Sequence, residues 1–302
     1  MNSEYSNFFF DEDKSNFNLT IDSIPWFLVT AIKKFKNISY ICSDIKELKT
    51  LKSKILAIDN KTNIIDFPDL DCPLFSNISP SNEIRTTRIK TLTKLLNIDL
   101  GENIVLTTIE SLLLKTIPKD TLINKYFELN PKNSKLTIEK IKDFLINNSY
   151  ERVETVRQKG EFAIRGGILD IFSPSEDFPI RIDSFASTID SLKNFDPITQ
   201  LSLNNLKKSS LIPTSEIFLN KKNIEKFRIN FRTLNIDNKK NYYNNISQGI
   251  RLPGIEQFLP FFYNSLESFF SYLINYKLII NFQFKDIIFN SYKRISSQLS
   301  EE

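Results

Sequence analysis

The stretch YERVETVRQKGEFAIRGGILDIFSPSEDFPIRIDSFASTIDSLKNFDPITQ, residues 150–200, decides how the chain is read. In GEFAIRGGILDIF, PIRIDSF and TIDSLKNFDPITQ the pattern has period two, with turn residues between the runs. Successive side chains of a strand point to opposite faces, so this period marks half-buried strands. Gly166-Gly167 sits between two such runs and signals a hairpin or bulge. The stretch is therefore predicted to be an antiparallel sheet module. In PIRIDSF, alternation puts Ile180 and Ile182 on a core face and Arg181, Asp183 and Phe185 on the other. In GEFAIRGG the same logic sets Phe162 and Ile164 opposite Ala163 and Arg165. A surface with Arg and aromatic residues has the composition of a protein-binding hot spot. The plainer reading leaves Phe185 covered by a neighbouring helix and the arginines solvated.

Outward from this stretch the character changes. Residues 21–118 read as alternating helix and strand. Ile24, Phe27, Leu28, Ala31, Ile32 and Phe35 follow helical spacing and give one buried stripe. ISYIC at 38–42, NIIDF at 63–67 and NIVLTT at 103–108 read as apolar strands, with helices over about 48–56 and 83–96 between them. That alternation indicates a parallel α/β sheet. KYFELNPKNSK, 125–135, reads as a polar connector, and a helix follows from about Thr137, its expected N-cap, to Asn147. After about residue 206 helix and strand mix again, ending in the strand-like LIINF and a polar amphipathic tail.

Composition excludes several chemistries. The chain has 302 residues and no histidine, which removes His general bases and nearly all zinc catalysis. A net charge of +4 without like-charge blocks is no footprint for tight phosphate binding. The 26 Phe and 10 Tyr argue against disorder. Cys42 and Cys72 lack metal-ligand spacing. A phosphate loop needs glycines followed by Lys and Ser/Thr, yet none of the six glycines precedes a lysine. FFFDED at 8–13 looks like a magnesium-holding Asp-Glu after an apolar strand. Without a phosphate loop it reads instead as a tail whose aromatics dock on the sheet. Asp170 and Asp183 lie on adjacent predicted strands, and ion pairing with Arg165 and Arg181 explains them better than acid–base work. The opening residues form no signal peptide, and no apolar run approaches the ~20 residues of a membrane span. A cytoplasmic protein with reduced thiols is expected.

The 150–200 string closely resembles the sheet module shared by the UvrB repair protein and the transcription–repair coupling factors. Gly160, Phe162, Arg165, Gly166, Asp170, Ile171, Phe172, Arg181, Ile182, Asp183, Phe185, Phe195-Asp196-Pro197 and Gln200 carry the likeness. Two more stretches resemble the coupling factors in particular: FPDLDCPLFSNISPSNEIRTTRIKTL at 67–92 and LPGIEQFLPFFY at 252–263. UvrB opens with an intact phosphate loop and a DNA-gripping hairpin, and this chain has neither.

The resemblance implies an α/β fold with a degenerate RecA-like parallel-sheet domain formed by two discontinuous segments, 1–118 and 206–302. A mainly antiparallel α+β module, 119–205, is inserted between them. In the family that module binds UvrA, and the matching positions are Arg165, Arg181 and Phe185. The whole family protein is an ATP-driven DNA translocase in transcription-coupled nucleotide excision repair. Its contacts with RNA polymerase and double-stranded DNA, and its ATP and magnesium, belong to domains before which this chain stops. No cofactor, no metal and no catalytic residue is expected here, whether the chain is a fragment or a truncated product. The alternatives are a UvrB-like repair factor, a DNA-binding factor and an autoinhibitory scaffold.

Overall fold

The computed structural model describes residues 19–96, 101–123, 125–131, 136–185, 188–233, 239–280 and 284–300. The FFFDED stretch lies outside them. From the N-terminal side run α1 (Ile24–Phe35), β1 (Asn37–Cys42), α2 (Ile45–Ile58), β2 (Ile64–Phe67), α3 (Asn82–Leu95) and β3 (Asn103–Thr108). Shorter pieces follow: α4 (Ile109–Leu113), β4 (Lys115–Thr116), α5 (Lys119–Ile123) and β5 (Phe127–Leu129). Next come α6 (Ile138–Asn147) and the strands β6 (Glu151–Arg152), β7 (Glu161–Arg165), β8 (Ile168–Ile171), β9 (Ile180–Phe185), β10 (Thr188–Phe195), β11 (Ser202–Asn205) and β12 (Ser209–Leu211). The chain continues through α7 (Lys221–Arg232), α8 (Lys240–Ser247), a 3-10 helix at Ile255–Phe262, β13 (Glu267–Ser268), a second 3-10 helix at Phe269–Tyr272, β14 (Lys277–Ile280) and α9 (Phe284–Ser300).

Two sheets dominate. The first is parallel, in the order β14-β1-β3-β2, so a strand from beyond residue 270 pairs with one from before residue 45. Its strands are nearly continuous apolar runs, and every residue of β3 is buried, because helices cover both faces. On one side Leu28 and Ile32 of α1 and Leu48, Leu51 and Ile55 of α2 pack on Ile38, Tyr40, Ile104 and Leu106. On the other, Ile41, Ile65, Phe67 and Val105 meet Ile89 and Leu92 of α3 and an aromatic group that includes Phe227, Phe258, Phe262 and Phe269. Phe67 is fully buried and stacks on Phe269 with ring centroids 3.8 Å apart.

Side chains end the helices where the sequence offers them. The Asp44 carboxylate accepts the N–H groups of Lys46 and Glu47 at 2.8 Å and starts α2. Thr137 caps α6 by accepting from the Lys140 N–H at 3.4 Å, as its place in the sequence predicts. The predicted stripe of α1 holds with one exception. Phe35, on its last turn, is exposed.

The second sheet runs β11-β10-β9-β8-β7-β6 and is antiparallel except for the β6–β7 pair. One face packs under α6: Phe162, Leu169, Ile171, Ile180, Ile182 and Leu192 meet Ile138, Ile141 and Leu145. The KYFELNPKNSK stretch is not all connector. Phe127–Leu129 forms β5 and pairs with β12, and Leu129 and Leu211 complete this core. Only three residues alternate there, too few to show in the sequence as a strand.

Candidate protein-interaction face

The other face of the second sheet is where sequence placed Arg165, Arg181 and Phe185. It is built on the β7–β8 hairpin. Gly166 takes φ +58°, a left-handed conformation, and a Cβ on Gly167 would sit 2.7 Å from the Ser184 carbonyl oxygen. The Gly167 carbonyl accepts from both the Ser184 N–H and the Ser184 hydroxyl at 2.9 Å, which locks β9 against the turn. The register that follows sets Asp170 directly between Ala163 on β7 and Arg181 on β9.

Asp170 is buried, and its two oxygens accept three N–H groups. Arg181 donates Nε at 2.8 Å and Nη2 at 2.9 Å, a side-on pair, and Arg165 donates Nη2 at 2.8 Å. A buried carboxylate is tolerated when its lone pairs are filled by such charge-assisted bonds. Arg181 is held further. Its Nη1 donates to the Gln200 carbonyl at 3.1 Å, and its guanidinium lies 4.5 Å over the Phe195 ring. The bond to Asp170 holds Arg181 above its ordinary pKa against the opposing effect of burial. Gln200 adopts φ +63° and donates Nε2 to the carbonyls of Val156 and Pro197, tying the 153–158 loop to the β10–β11 turn. That turn is closed by Asp196, which accepts the N–H groups of Thr199 and Ile198 and titrates below the usual carboxylate range for that reason.

The structure thus brings Arg165 and Arg181 together on one carboxylate, and separates them in exposure. The Arg165 side chain is 51% exposed and the Arg181 side chain 16%. Arg165 borders a shallow concavity with Arg152, Val153, Glu154 and Ile164. Phe185 is the last residue of β9, paired in register with Thr188; its side chain lies outside the described set. The face is open only in part, because Val156, Ala163, Phe172 and Phe195 form a small buried cluster on it. Asp183 does not share in the arginine network. It accepts from Lys193 Nζ at 2.9 Å and Ser191 Oγ at 2.7 Å, and these bonds lower its pKa. Sequence reasoning grouped both aspartates with both arginines and passed over Lys193, Phe195 and the Gln200 carbonyl as their partners. Phe195 and Gln200 stood in the motif, but only the register shows what they touch.

The two other motif stretches, far apart in sequence, meet beside the base of this module. Gly254, at φ +76°, donates its N–H to Ser79 Oγ at 2.9 Å, and Ser79 donates to Glu256 at 2.6 Å. A Cβ at Gly254 would strike Ser76 O and lie 2.7 Å from Asn77 Cα, so only glycine permits this approach. Arg251 donates to Ser149 Oγ, Ser215 Oγ and the Ile217 carbonyl, tying the start of the 252–263 stretch to the α6–β6 turn and to the segment after β12.

At the carboxyl ends of the parallel strands, where open α/β sheets bind ligands, polar groups are engaged within the chain. Asp69 accepts from Thr108 and Ser111, and Glu47 accepts from the Ser43 N–H and hydroxyl and from Tyr40. Buried Arg88 donates to the Pro68 carbonyl and to Glu216 and lies 4.1 Å over the Phe67 ring. Burial pushes the Cys42 thiol up and the Cys72 thiol up to about 11, so neither is an activated nucleophile. Among the described residues no group of His, Cys, Asp and Glu could hold a metal ion, and no helix is long and apolar enough to cross a membrane.

Comparison with known proteins places this arrangement. Residues 129–218 match the family model described as the UvrB interaction domain. The transcription-repair-coupling factor of Rickettsia typhi is 33% identical over 252 residues, 82% of this chain and 22% of that protein. That of Haemophilus influenzae is 31% identical over 234 residues, 76% of this chain and 20% of the relative. That of Escherichia coli K12 is 28% identical over 221 residues, 72% and 19% respectively. The chain spans about a fifth of the length of these relatives (22%, 20% and 19%). Over most of its length it is homologous to an N-terminal region of the transcription-repair-coupling factors, with a UvrB interaction domain at its centre.

Proposed function

We propose that this chain is the non-catalytic recruiting part of a transcription-repair coupling factor, and that it binds UvrA through the polar face of its antiparallel sheet. Arg165 and Arg181 make charge-assisted hydrogen bonds to acidic groups of UvrA, and Phe185 fills an apolar pocket beside them. The observation that carries this reading is a half-exposed arginine, Arg165, held on a buried carboxylate within the matched interaction domain. In this proposal the module occupies 119–205 and the degenerate RecA-like domain 1–118 with 206–302. The chain itself takes no cofactor. Two features support that assignment. Polar groups at the strand ends already hold one another, and Pro25 stands in the first turn of α1 without an N–H to offer a phosphate. ATP turnover, translocation on double-stranded DNA and contact with RNA polymerase fall to the remainder of a full-length cytoplasmic protein.

The test is a titration of the chain against purified UvrA, with Arg165→Ala, Arg181→Ala and Phe185→Ala alongside. Saturable binding that the substitutions weaken is expected. Undiminished binding by both Arg181→Ala and Phe185→Ala would reject the site. ATP turnover, or DNA affinity that falls steeply with salt, would move the assignment to a UvrB-like factor.

A further inference from the structure

We infer that Asp170 is the positioning residue of the interaction face, fixing the planar fork of Arg165 so that it meets a carboxylate of the partner edge-on. This rests on the binding reading above and names the residue that makes it work. Asp170 is only 1% exposed, too deep to touch a partner itself. Its oxygens hold both guanidinium groups, but unequally. Arg181 gives it two N–H groups and is pinned again by the Gln200 carbonyl and the Phe195 ring. Arg165 gives it one N–H and has no other hydrogen-bond partner among the described residues. Arg181, a proposed contact too, is thus fixed by several partners, and Arg165 is the contact whose placement depends on Asp170 alone among the described residues. One corner of its guanidinium is anchored, and the remaining N–H groups keep the fork geometry that matches a carboxylate. A long, mobile side chain loses much of its rotamer freedom before the partner arrives, which is how preorganisation raises affinity.

Charge alone predicts the opposite role. Asp170 cancels one of the two guanidinium charges, and Lys193 is cancelled by Asp183. Neutralising Asp170 makes the face more positive, and a face that worked by bulk charge would then bind an acidic partner more tightly. Positioning predicts weaker binding. The two accounts differ in sign.

The experiment is a double-mutant cycle in UvrA binding with Asp170→Asn, Arg165→Ala and the pair, each checked by thermal unfolding. Asp170→Asn is expected to weaken binding by at least about fivefold in the parent and by clearly less once Arg165 is alanine, where only its hold on Arg181 is left to lose. Tighter or unchanged binding overturns the inference, and so does an equal loss in both backgrounds, the mark of a merely structural carboxylate. Arg165→Lys tests the same point without touching the buried group and decides it if Asp170→Asn does not fold. A lysine keeps the charge and lacks the fork, so a loss close to that of Arg165→Ala is expected, whereas parent-like binding overturns the inference. A parent chain that binds no UvrA defeats the recruiting reading and this one with it, which is distinguishable from a bound parent with additive variants.

Discussion

The two sheets treat polar side chains in opposite ways. In the parallel sheet both faces are apolar, and the polar groups at its strand ends turn inward to one another: Asp69 with Thr108 and Ser111, Glu47 with Ser43 and Tyr40. In the antiparallel sheet one face is core, while the other carries a buried carboxylate whose two arginines reach different depths. An exposed, anchored arginine is available to another molecule. Hydroxyls and carboxylates already bonded to one another are less so. If the proposed reading holds, the contrast separates a part that holds shape from a part that meets a partner, and substitutions should divide along the same line.

The largest effect belongs to the parallel sheet. Phe67→Ala empties a fully buried site stacked on Phe269 and Arg88 and should cost about 3–5 kcal/mol in urea unfolding. The molecules that remain folded should bind UvrA as the parent does; weakened binding at full folding would break the contrast. Arg181→Ala is expected to fall on both sides of the line. It leaves Asp170 buried with one partner, costs about 2–3 kcal/mol in stability, and also weakens binding. Arg165→Ala should lie wholly on the binding side, at about 2 kcal/mol or roughly thirtyfold in Kd, with less than about 1 kcal/mol of stability lost. Thr137→Ala removes the cap of α6 and should cost about 1 kcal/mol, read as earlier melting of the module without change at the parallel sheet.

The smallest effect is in pH. Asp183 and Asp196, both in the module, have folded pKa values below the ordinary range, held there by hydrogen bonds from Lys193 and from the Thr199 N–H. Their stabilisation is complete above about pH 4, the unfolded value, and is lost as pH falls through the lowered folded values. Tyr40 and Cys42, in the parallel sheet, are raised by burial, so their contribution is lost as pH rises past their ordinary ranges. Asp59, at the end of α2, is lowered as well, and Tyr150, in the module, is raised by burial, so the response is local and does not divide by sheet. Hydrogen exchange resolved by peptide should show acid loosening β9 and the β10–β11 turn and alkali loosening β1; unchanged protection at those places would reject the assignment.

Much of this was legible in the chain, for definite reasons. A strand covered on one side writes its burial into the sequence with period two, so Ile180 and Ile182 against Arg181 and Asp183 could be read at once. NIVLTT, buried on both faces, has no such period and was recognised by its apolar run and its place among helices. Which aspartate holds which arginine was not legible. That depends on two registers: the turn at Gly166-Gly167 sets Asp170 across from Ala163, and the β8–β9 pairing sets it across from Arg181 and leaves Asp183 to Lys193. The meeting of Ser79 with Gly254 was likewise hidden, since no local pattern connects segments so far apart.

The pairing of β14 with β1 has a consequence for how the protein is made. Chain emerges from a ribosome N-terminus first, and domains form as their parts appear. The strands from β7 to β10 pair with neighbours in sequence, so the face that carries Arg165 can close soon after residue 200 is free. β1 must wait with one edge open until residues 277–280 arrive. A chain halted between those points would already expose Arg165 on its formed sheet while offering an open strand edge to any other nascent chain nearby.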